Sequence, residues 1–212
     1  MSDESDEIRG RLDALREGDS AALEPLFSTH RDRLRRMVEF RLDARLRGRV
    51  SASDVLQEAY IDALKRLQHY RADPDVPFFV WLRTVTIQRL IEVHRQHLGA
   101  AMRDAGREVS IGVLAGPEAS SEMIAEFFND QTSPSLAAQR GEALGQLREA
   151  LDGLEPLDRE VLALRHFEDM NNQEVAALLG IRPAAASKRY VRALERLKDA
   201  LSRLPDFTGG LP

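Results

Sequence analysis

The stretch from Leu157 to Leu201 constrains the fold most strongly, because it contains two helical patterns separated by a sharp corner. Two runs of apolar residues at helical spacing precede the corner. The first is Leu157, Val161, Leu162 and Leu164, and the second is Val175, Ala176, Leu178 and Leu179. The second run ends at Gly180, which tolerates the left-handed backbone of a helix end. Pro183 then suits the first turn of a new helix. The pattern predicts a two-helix unit with its corner between Gly180 and Pro183, and a further helix packed in front of that unit.

The helix expected after Pro183 is strongly cationic. Its basic residues are Lys188, Arg189, Arg192, Arg196 and Lys198. Two helices joined by a short glycine-containing turn, the second of them basic, form the helix-turn-helix arrangement. Helical hairpins and solvated basic faces are also common, so the motif alone leaves DNA binding and a purely structural role about equally open.

The composition indicates a soluble all-α protein. Aromatic residues make up 6% of the 212 residues, and no stretch alternates long enough to suggest a sheet. There is no cysteine, and the five histidines lack metal-motif spacing, so we expect neither a metal nor another cofactor. No apolar run approaches the length of a membrane span, and no secretion signal is evident. We therefore expect a cytoplasmic protein without a membrane partner.

The net charge of −5 argues against a chain that coats DNA through its overall field. The charges are nevertheless segregated, with acidic residues at the start and many arginines between Arg31 and Arg49. Such a mosaic suits a protein that meets nucleic acid on one side and a protein partner on another.

Four helices are expected in the N-terminal half. A short helix ends near Gly18, with Asp19 or Ser20 as a cap for the next helix. A long amphipathic helix keeps its apolar period from Leu23 to Leu42. The remaining two helices lie on either side of a proline-containing loop.

The third helix begins with the capping-box pattern Ser51-x-x-Asp54. Its apolar face is predicted to consist of Leu56, Tyr60, Ala63, Leu64 and Leu67, and its polar residues Asp54, Gln57, Glu58, Asp62 and Lys65 lie away from that face. Asp54 and Glu58 are neighbours on the surface, which is unfavourable for like charges unless a basic partner docks there.

A loop is predicted from His69 to Pro77, because the residue before each of its prolines is denied the helical conformation. The apolar cluster Phe78–Leu82 then opens a fourth helix that continues to about His97. Its tryptophan, Trp81, is expected to pack in the core.

The segment 99–139 is rich in Gly, Pro, Ser and acidic residues and is predicted to be a linker. Within it, Met123, Ile124, Phe127 and Phe128 can form one short docked helix. A helical pattern resumes from Leu136 to Leu154. The predicted organisation is an acidic extension at 1–19, a helical domain at 20–98, the linker, a helix-turn-helix domain at 140–203 and a tail at 204–212.

Three segments in this order resemble the bacterial sigma-70 family, and specifically its extracytoplasmic-function (ECF) branch. Asp54–Leu64 resembles the segment that docks on the clamp helices of RNA polymerase. Phe78–Leu82 resembles the Phe-x-x-Trp-Leu signature of the helix facing the minus-ten promoter element. Leu154–Ile181 resembles the minus-thirty-five-binding domain. The resemblance covers nearly all of residues 20–202.

The resemblance implies a sigma factor, not an enzyme, whose partners are core RNA polymerase and promoter DNA. The residues that it places against the polymerase are Asp54, Gln57, Glu58 and Asp62. Those that it places at the minus-ten element are Tyr70, Arg71, Thr84, Gln88, Arg89, Glu92 and Arg95. Those that it places in the major groove at the minus-thirty-five element are Ser187, Lys188, Arg189 and Arg192. Whether an anti-sigma factor or another regulator is a further partner stays open.

This sequence departs from the family pattern at several positions. Arg182 and Pro183 stand where a Ser or Thr cap is usual, and Ala184–Ala186 replace bulkier or hydroxyl-bearing residues at the start of the DNA-reading helix. Arg89 and His94 stand where the family often has apolar residues.

Two other classes of function are compatible with parts of the sequence. A stand-alone helix-turn-helix regulator with an N-terminal sensing or dimerisation domain would bind its operator without polymerase. A hydrolase using Asp54, Glu58 and a histidine is disfavoured, because no phosphate loop, nucleophile motif or metal set accompanies them.

Overall fold

The computed structural model describes residues 2–72, 75–98, 121, 123–125 and 137–202. These residues form helices, with one isolated bridge between Arg47 and Val50 and no strand, which confirms the all-α prediction. They divide into two compact units. The first holds the described residues up to Leu98 together with Ala177–Leu179, and the second holds the other described residues from Ser121 onward. The exact domain boundaries stay predictions. None of the described helices is long and apolar enough to cross a membrane.

The first unit contains four α-helices among its described residues. They are α1 (Ser2–Glu17), α2 (Leu23–Arg41), α3 (Ala52–Ala72) and α4 (Phe78–Leu98). Short 3-10 helices at Ser20–Ala22 and Ala44–Leu46 lie between them. The predicted break after α1 is confirmed, because Gly18 has a φ of 122° and the Asp19 side chain accepts a hydrogen bond from the Ala21 N–H.

The core of this unit lies where α2, α3 and α4 pack against one another. Its largest fully buried apolar side chains include Leu15, Leu23, Leu26, Leu34, Met37, Phe40, Leu56 and Leu82. An aromatic cluster packs at one side of this core. The centroid of the Tyr70 ring lies 4.9 Å from that of Trp81 and 5.3 Å from that of Phe78. Trp81 therefore packs on the core, as predicted, although its side chain is only partly buried.

Two local predictions about α3 were wrong. The helix continues to Ala72 instead of giving way to a loop at His69, because Pro74 and Pro77 restrict only the residues directly before them. Leu64 is 40% exposed and does not belong to the apolar face. Because α3 packs against both α2 and α4, its buried face is centred on residues such as Ala59 and Ala63.

The helices after the predicted linker are α5 (Ala137–Asp152), α6 (Pro156–His166), α7 (Asn172–Leu179) and α8 (Pro183–Ser202), which belong to the second unit except for the last three residues of α7. Asn171 and Glu174 form a capping box at the start of α7. Gly180 ends that helix in the left-handed conformation, with a φ of 64°. The α7–turn–α8 arrangement confirms the predicted helix-turn-helix, and α8 packs against α5 and α6.

The short helix predicted inside the linker is described only in part. Ser121 and residues 123–125 are helical, and Ile124 is 2% exposed, so Ile124 is packed as predicted. The Ser121 hydroxyl donates to the carboxylate of Asp152. Phe127, Phe128 and the rest of the predicted linker lie outside the described residues.

Candidate protein and nucleic-acid interfaces

α3 presents a solvent-facing row of mixed chemistry, which we call the α3 stripe. Asp54, Gln57 and Glu58 are exposed, as predicted. Ile61 and Leu64 continue the row at helical spacing and are 50% and 40% exposed. The sequence analysis placed Leu64 on the buried face and did not single out Ile61, although Ile61 follows Gln57 by four residues and Leu64 follows Ile61 by three. Exposed apolar side chains beside charges are typical of a protein-binding surface.

A groove of about 530 Å³ lies beside the α3 stripe, between α2 and α3. Its residues are Glu24, Phe27, Ser28, Arg31, Leu56, Gln57, Tyr60 and Ile61. The rings of Phe27 and Tyr60 meet edge to face with centroids 5.2 Å apart, which gives the groove an aromatic wall. The groove therefore extends the apolar part of the stripe.

Asp54 has a second role at the start of α3. Its backbone N–H donates to Ser51 Oγ at 3.1 Å, and its carboxylate accepts from the Ser51 backbone N–H at 3.3 Å. This reciprocal pair is the predicted capping box. A charge reversal at Asp54 would therefore disturb the helix start as well as the exposed surface.

Asp62 does not lie on the exposed side of α3 as the sequence pattern predicted. It is 6% exposed, and its carboxylate accepts from Arg89 Nε of α4 at 2.8 Å. Arg89 Nη1 also lies 3.4 Å from Glu58 and 2.9 Å from Glu92. Burial lowers the pKa of the Arg89 guanidinium, but the three carboxylates outweigh it and leave the pKa raised. We call this group the Arg89 cluster.

Several residues assigned to the minus-ten element by resemblance have partners inside the first unit. Tyr70 is 1% exposed, and burial raises the pKa of its hydroxyl against a smaller opposing effect of Arg16. Arg71 Nε donates to the Leu15 carbonyl at 2.8 Å. The structure thus places Tyr70 in the core and uses Arg71 to hold α1 against α3.

The candidates along α4 differ in their exposure. The Thr84 hydroxyl donates to the Val80 carbonyl at 2.8 Å, within the helix. Gln88 Oε1 accepts a hydrogen bond from Arg66 of α3. Arg95, in the last turn, is exposed to solvent. Of these three residues, Arg95 has the side chain best placed to meet a partner.

His94 occupies a position where the resemblance implies an apolar residue, and one nitrogen of its ring has a hydrogen-bond partner. Its Nε2 accepts the backbone N–H of Asp43 at 3.3 Å, and it is 4% exposed. Burial lowers the pKa of His94, against the raising effect of Asp43, which favours the neutral ring that this hydrogen bond requires. The pKa of Asp43 is itself lowered to about 2 by the hydrogen bond from Arg45.

α8 presents a basic surface in which the arginines are not equivalent. Lys188 and Arg192 are exposed, and Ser187 is partly buried. Arg189 Nη1 lies 3.3 Å from Asp158 of α6, and Arg196 Nη1 lies 2.8 Å from the same buried carboxylate. Asp158 thus ties α8 to α6 and fixes one side of the basic surface.

A further α6–α8 contact involves aromatic groups. Tyr190 Oη and His166 Nε2 lie at hydrogen-bonding distance, 2.9 Å, and the Arg165 guanidinium lies 5.2 Å from the centre of the Tyr190 ring. Burial and then the charge of Arg165 lower the pKa of His166. Among the described residues, no group of acidic and histidine side chains is placed to hold a metal ion.

A family model described as ECF sigma factor matches residues 5–203. This chain belongs to the ECF sigma factor family. It is 29% identical over 131 residues to the ECF RNA polymerase sigma factor SigD of Mycobacterium tuberculosis, covering 62% of this chain and 54% of SigD, so it spans about half of that relative. It is 30% identical over 134 residues to the RNA polymerase sigma factor CarQ of Myxococcus xanthus, covering 62% of this chain and 65% of CarQ.

A solved structure of CnrH in complex with the cytosolic domain of CnrY also matches the chain. It superposes with a TM-score of 0.49 at 21% sequence identity, over 92% of this chain and 97% of the matched chain.

Proposed function

We propose that this ECF family member is a sigma factor that binds core RNA polymerase and directs promoter recognition and melting, without catalysis of its own. The observation that carries the proposal is the family match over residues 5–203, because it spans both helical units at once. A match confined to the helix-turn-helix would fit a stand-alone regulator equally well.

The α3 stripe is the proposed polymerase-binding surface. Asp54 and Glu58 supply negative charge, and Ile61 and Leu64 supply apolar area that is exposed in the isolated chain. An apolar centre flanked by charges is the usual composition of a protein interface, in which apolar contacts give affinity and charges give steering. Asp62 is buried beneath this surface and is proposed to support it by holding Arg89 in the Arg89 cluster.

The basic face of α8 is the proposed contact with the minus-thirty-five element. Lys188 and Arg192 are exposed enough to reach phosphates or base edges, and Ser187 lies one position before Lys188. Arg189 is 37% exposed and held by Asp158, so it would approach DNA with its guanidinium already oriented.

The C-terminal part of α4 is the proposed contact with the minus-ten element. Arg95 is exposed, and Glu92 remains partly accessible. Tyr70, Arg71, Thr84 and Gln88 are proposed to act by shaping this surface, since their polar atoms or rings are engaged within the unit.

The proposal is tested by measuring promoter binding with and without core polymerase. We expect the chain alone to bind duplex promoter DNA weakly and the reconstituted holoenzyme to bind it specifically and open it, as detected by permanganate reactivity of unpaired thymines. Tight, specific binding of a duplex operator by the chain alone, with no effect of core polymerase, would instead identify a stand-alone regulator.

A further inference from the structure

We propose that Arg89 is a positioning residue that supports the polymerase-binding surface of α3, and that it does not contact promoter DNA. The inference rests on the proposed function and assigns Arg89 a different task from the one that the resemblance implies. Its basis is the geometry of the Arg89 cluster.

The hydrogen-bonding groups of Arg89 are engaged inside the first unit. Nε donates to Asp62 at 2.8 Å, and Nη2 contacts the same carboxylate oxygen. Nη1 faces Glu92 at 2.9 Å and Glu58 at 3.4 Å. The guanidinium therefore has a carboxylate partner on each of its three nitrogens, and its side chain is 20% exposed.

Asp62 depends on Arg89 for most of its compensation. The Asp62 side chain is 9% exposed, and a second cation, Lys65, lies 3.7 Å away and is 70% exposed. A buried carboxylate that loses its main partner is strongly unfavourable, because the desolvation of the charge is no longer offset. Without Arg89, Asp62 can keep its charge only if α3 or α4 shifts until water reaches its carboxylate.

That shift would act directly on the α3 stripe. Glu58 belongs to the stripe and precedes Asp62 by one helical turn, and Arg89 contacts both carboxylates. The Arg66–Gln88 hydrogen bond joins α3 and α4 one turn further along α3. Arg89 thus belongs to a short polar seam that sets the position of α3 on α4, and with it the orientation of Glu58.

A role as a DNA contact conflicts with the same geometry. To reach a phosphate, the guanidinium would have to leave three carboxylates, and those carboxylates would then repel the phosphate. Arg95 lies on the same helix and is exposed, so it meets no such obstacle. Arg89 and Arg95 therefore make a matched pair for an experiment.

The test uses the full chain with Arg89→Met, Asp62→Asn, both together, and Arg95→Met as the control. Each variant is first checked for folding by the fluorescence of Trp81, the single tryptophan, which lies in the same unit. Affinity for core polymerase is then measured, together with the salt dependence of holoenzyme binding to a minus-ten single strand. Arg89→Lys is the second variant, used if Arg89→Met does not fold.

We expect Arg89→Met and Asp62→Asn each to weaken core binding roughly tenfold, and the double variant to be no weaker than either, as for residues that act as one pair. Arg89→Lys should recover part of the loss, because one ammonium can face Asp62 but not all three carboxylates. The salt dependence of DNA binding should be unchanged in Arg89→Met. Arg95→Met should instead keep its affinity for core polymerase, and the slope of its DNA affinity against salt concentration should fall by about one phosphate contact.

Two results would overturn the inference alone. One is an Arg89→Met holoenzyme with intact core affinity and a salt dependence reduced by about one contact, which is the behaviour of a phosphate-binding arginine. The other is strictly additive loss in the double variant. If the unmodified chain failed to bind core polymerase, the proposed function would fall and this inference with it.

Discussion

The guanidinium of Arg189 on α8 lies 3.3 Å from the carboxylate of Asp158 on α6, and that carboxylate is almost fully buried. Asp158 also accepts a hydrogen bond from Arg196 at 2.8 Å, so a single acidic side chain holds two turns of α8. If Arg189 reads a base, as proposed above, it loses less conformational freedom on binding because Asp158 already holds it in place.

Replacing Asp158 with Asn should therefore reduce both stability and base discrimination. We expect a loss of about 2 kcal/mol in the free energy of unfolding, below the range for fully buried pairs because both arginines are partly exposed. Urea unfolding followed by circular dichroism measures the first effect, and a panel of minus-thirty-five variants measures the second. Arg192→Ala is the control: it should weaken promoter binding with the unfolding free energy unchanged, since Arg192 is exposed.

Truncating Ile61 to Ala should weaken binding to core polymerase by about 1–2 kcal/mol, the usual range for losing an apolar interface anchor. The stability of the chain should change little, because Ile61 is 50% exposed. Val191→Ala is a matched control, since Val191 is 48% exposed but lies on α8. Equal effects of the two substitutions on the affinity for core polymerase would contradict the proposal that the α3 stripe is the docking surface.

The first unit should lose stability as the pH falls below neutrality. Burial lowers the pKa of His94 in the folded protein below its ordinary value of 6.5, so the unfolded chain binds the proton more readily. The stabilisation is complete above pH 6.5 and is lost as the pH falls through and below that value. Asp43, with a folded pKa of about 2 against an ordinary 3.8, adds a second loss at more acidic pH.

His94→Gln provides the check, because a Gln side-chain oxygen can accept the Asp43 N–H without titrating. We expect the slope of unfolding free energy against pH to flatten between about pH 7 and 5, the window of a histidine. Trp81 fluorescence reports this unit specifically. A slope that persists undiminished in His94→Gln would assign the pH dependence to other groups.

Gly180→Ala and Gly145→Ala should change stability in opposite directions. Gly180 has a φ of 64°, and an added Cβ would meet no atom within 4 Å, so its replacement costs only the backbone strain, about 1 kcal/mol. Gly145 lies within α5, also with open space around an added Cβ, and its replacement should stabilise the helix by about 0.8–1 kcal/mol. Chemical denaturation of the two variants compares them directly. If both substitutions destabilised the chain, backbone conformation would not explain how the two glycine positions respond to alanine.

The features that the sequence predicted well are those determined by neighbouring residues along the chain. The Ser51–Asp54 capping box and the left-handed end at Gly180 depend on local backbone geometry, and both are present.

The features that it missed depend on which helices pack beside a given face. Leu64 fits an apolar period but is exposed, and Asp62 fits a polar face but is buried, because α4 covers one side of α3 and supplies Arg89. The family resemblance shows which sequence positions correspond, but it does not show which side chains each residue contacts in this chain. The assignment of Arg89 to DNA rests on such a position alone and stays a prediction.

Reconstituted transcription with start-site sequencing tests the central claim most directly. Core polymerase is supplied with a genomic DNA library, with and without this chain. We predict that adding the chain creates defined start sites, each preceded by two common sequence elements at a constant spacing, and that these sites disappear with an Ile61→Asp variant. Start sites that are the same with and without the chain would contradict the account.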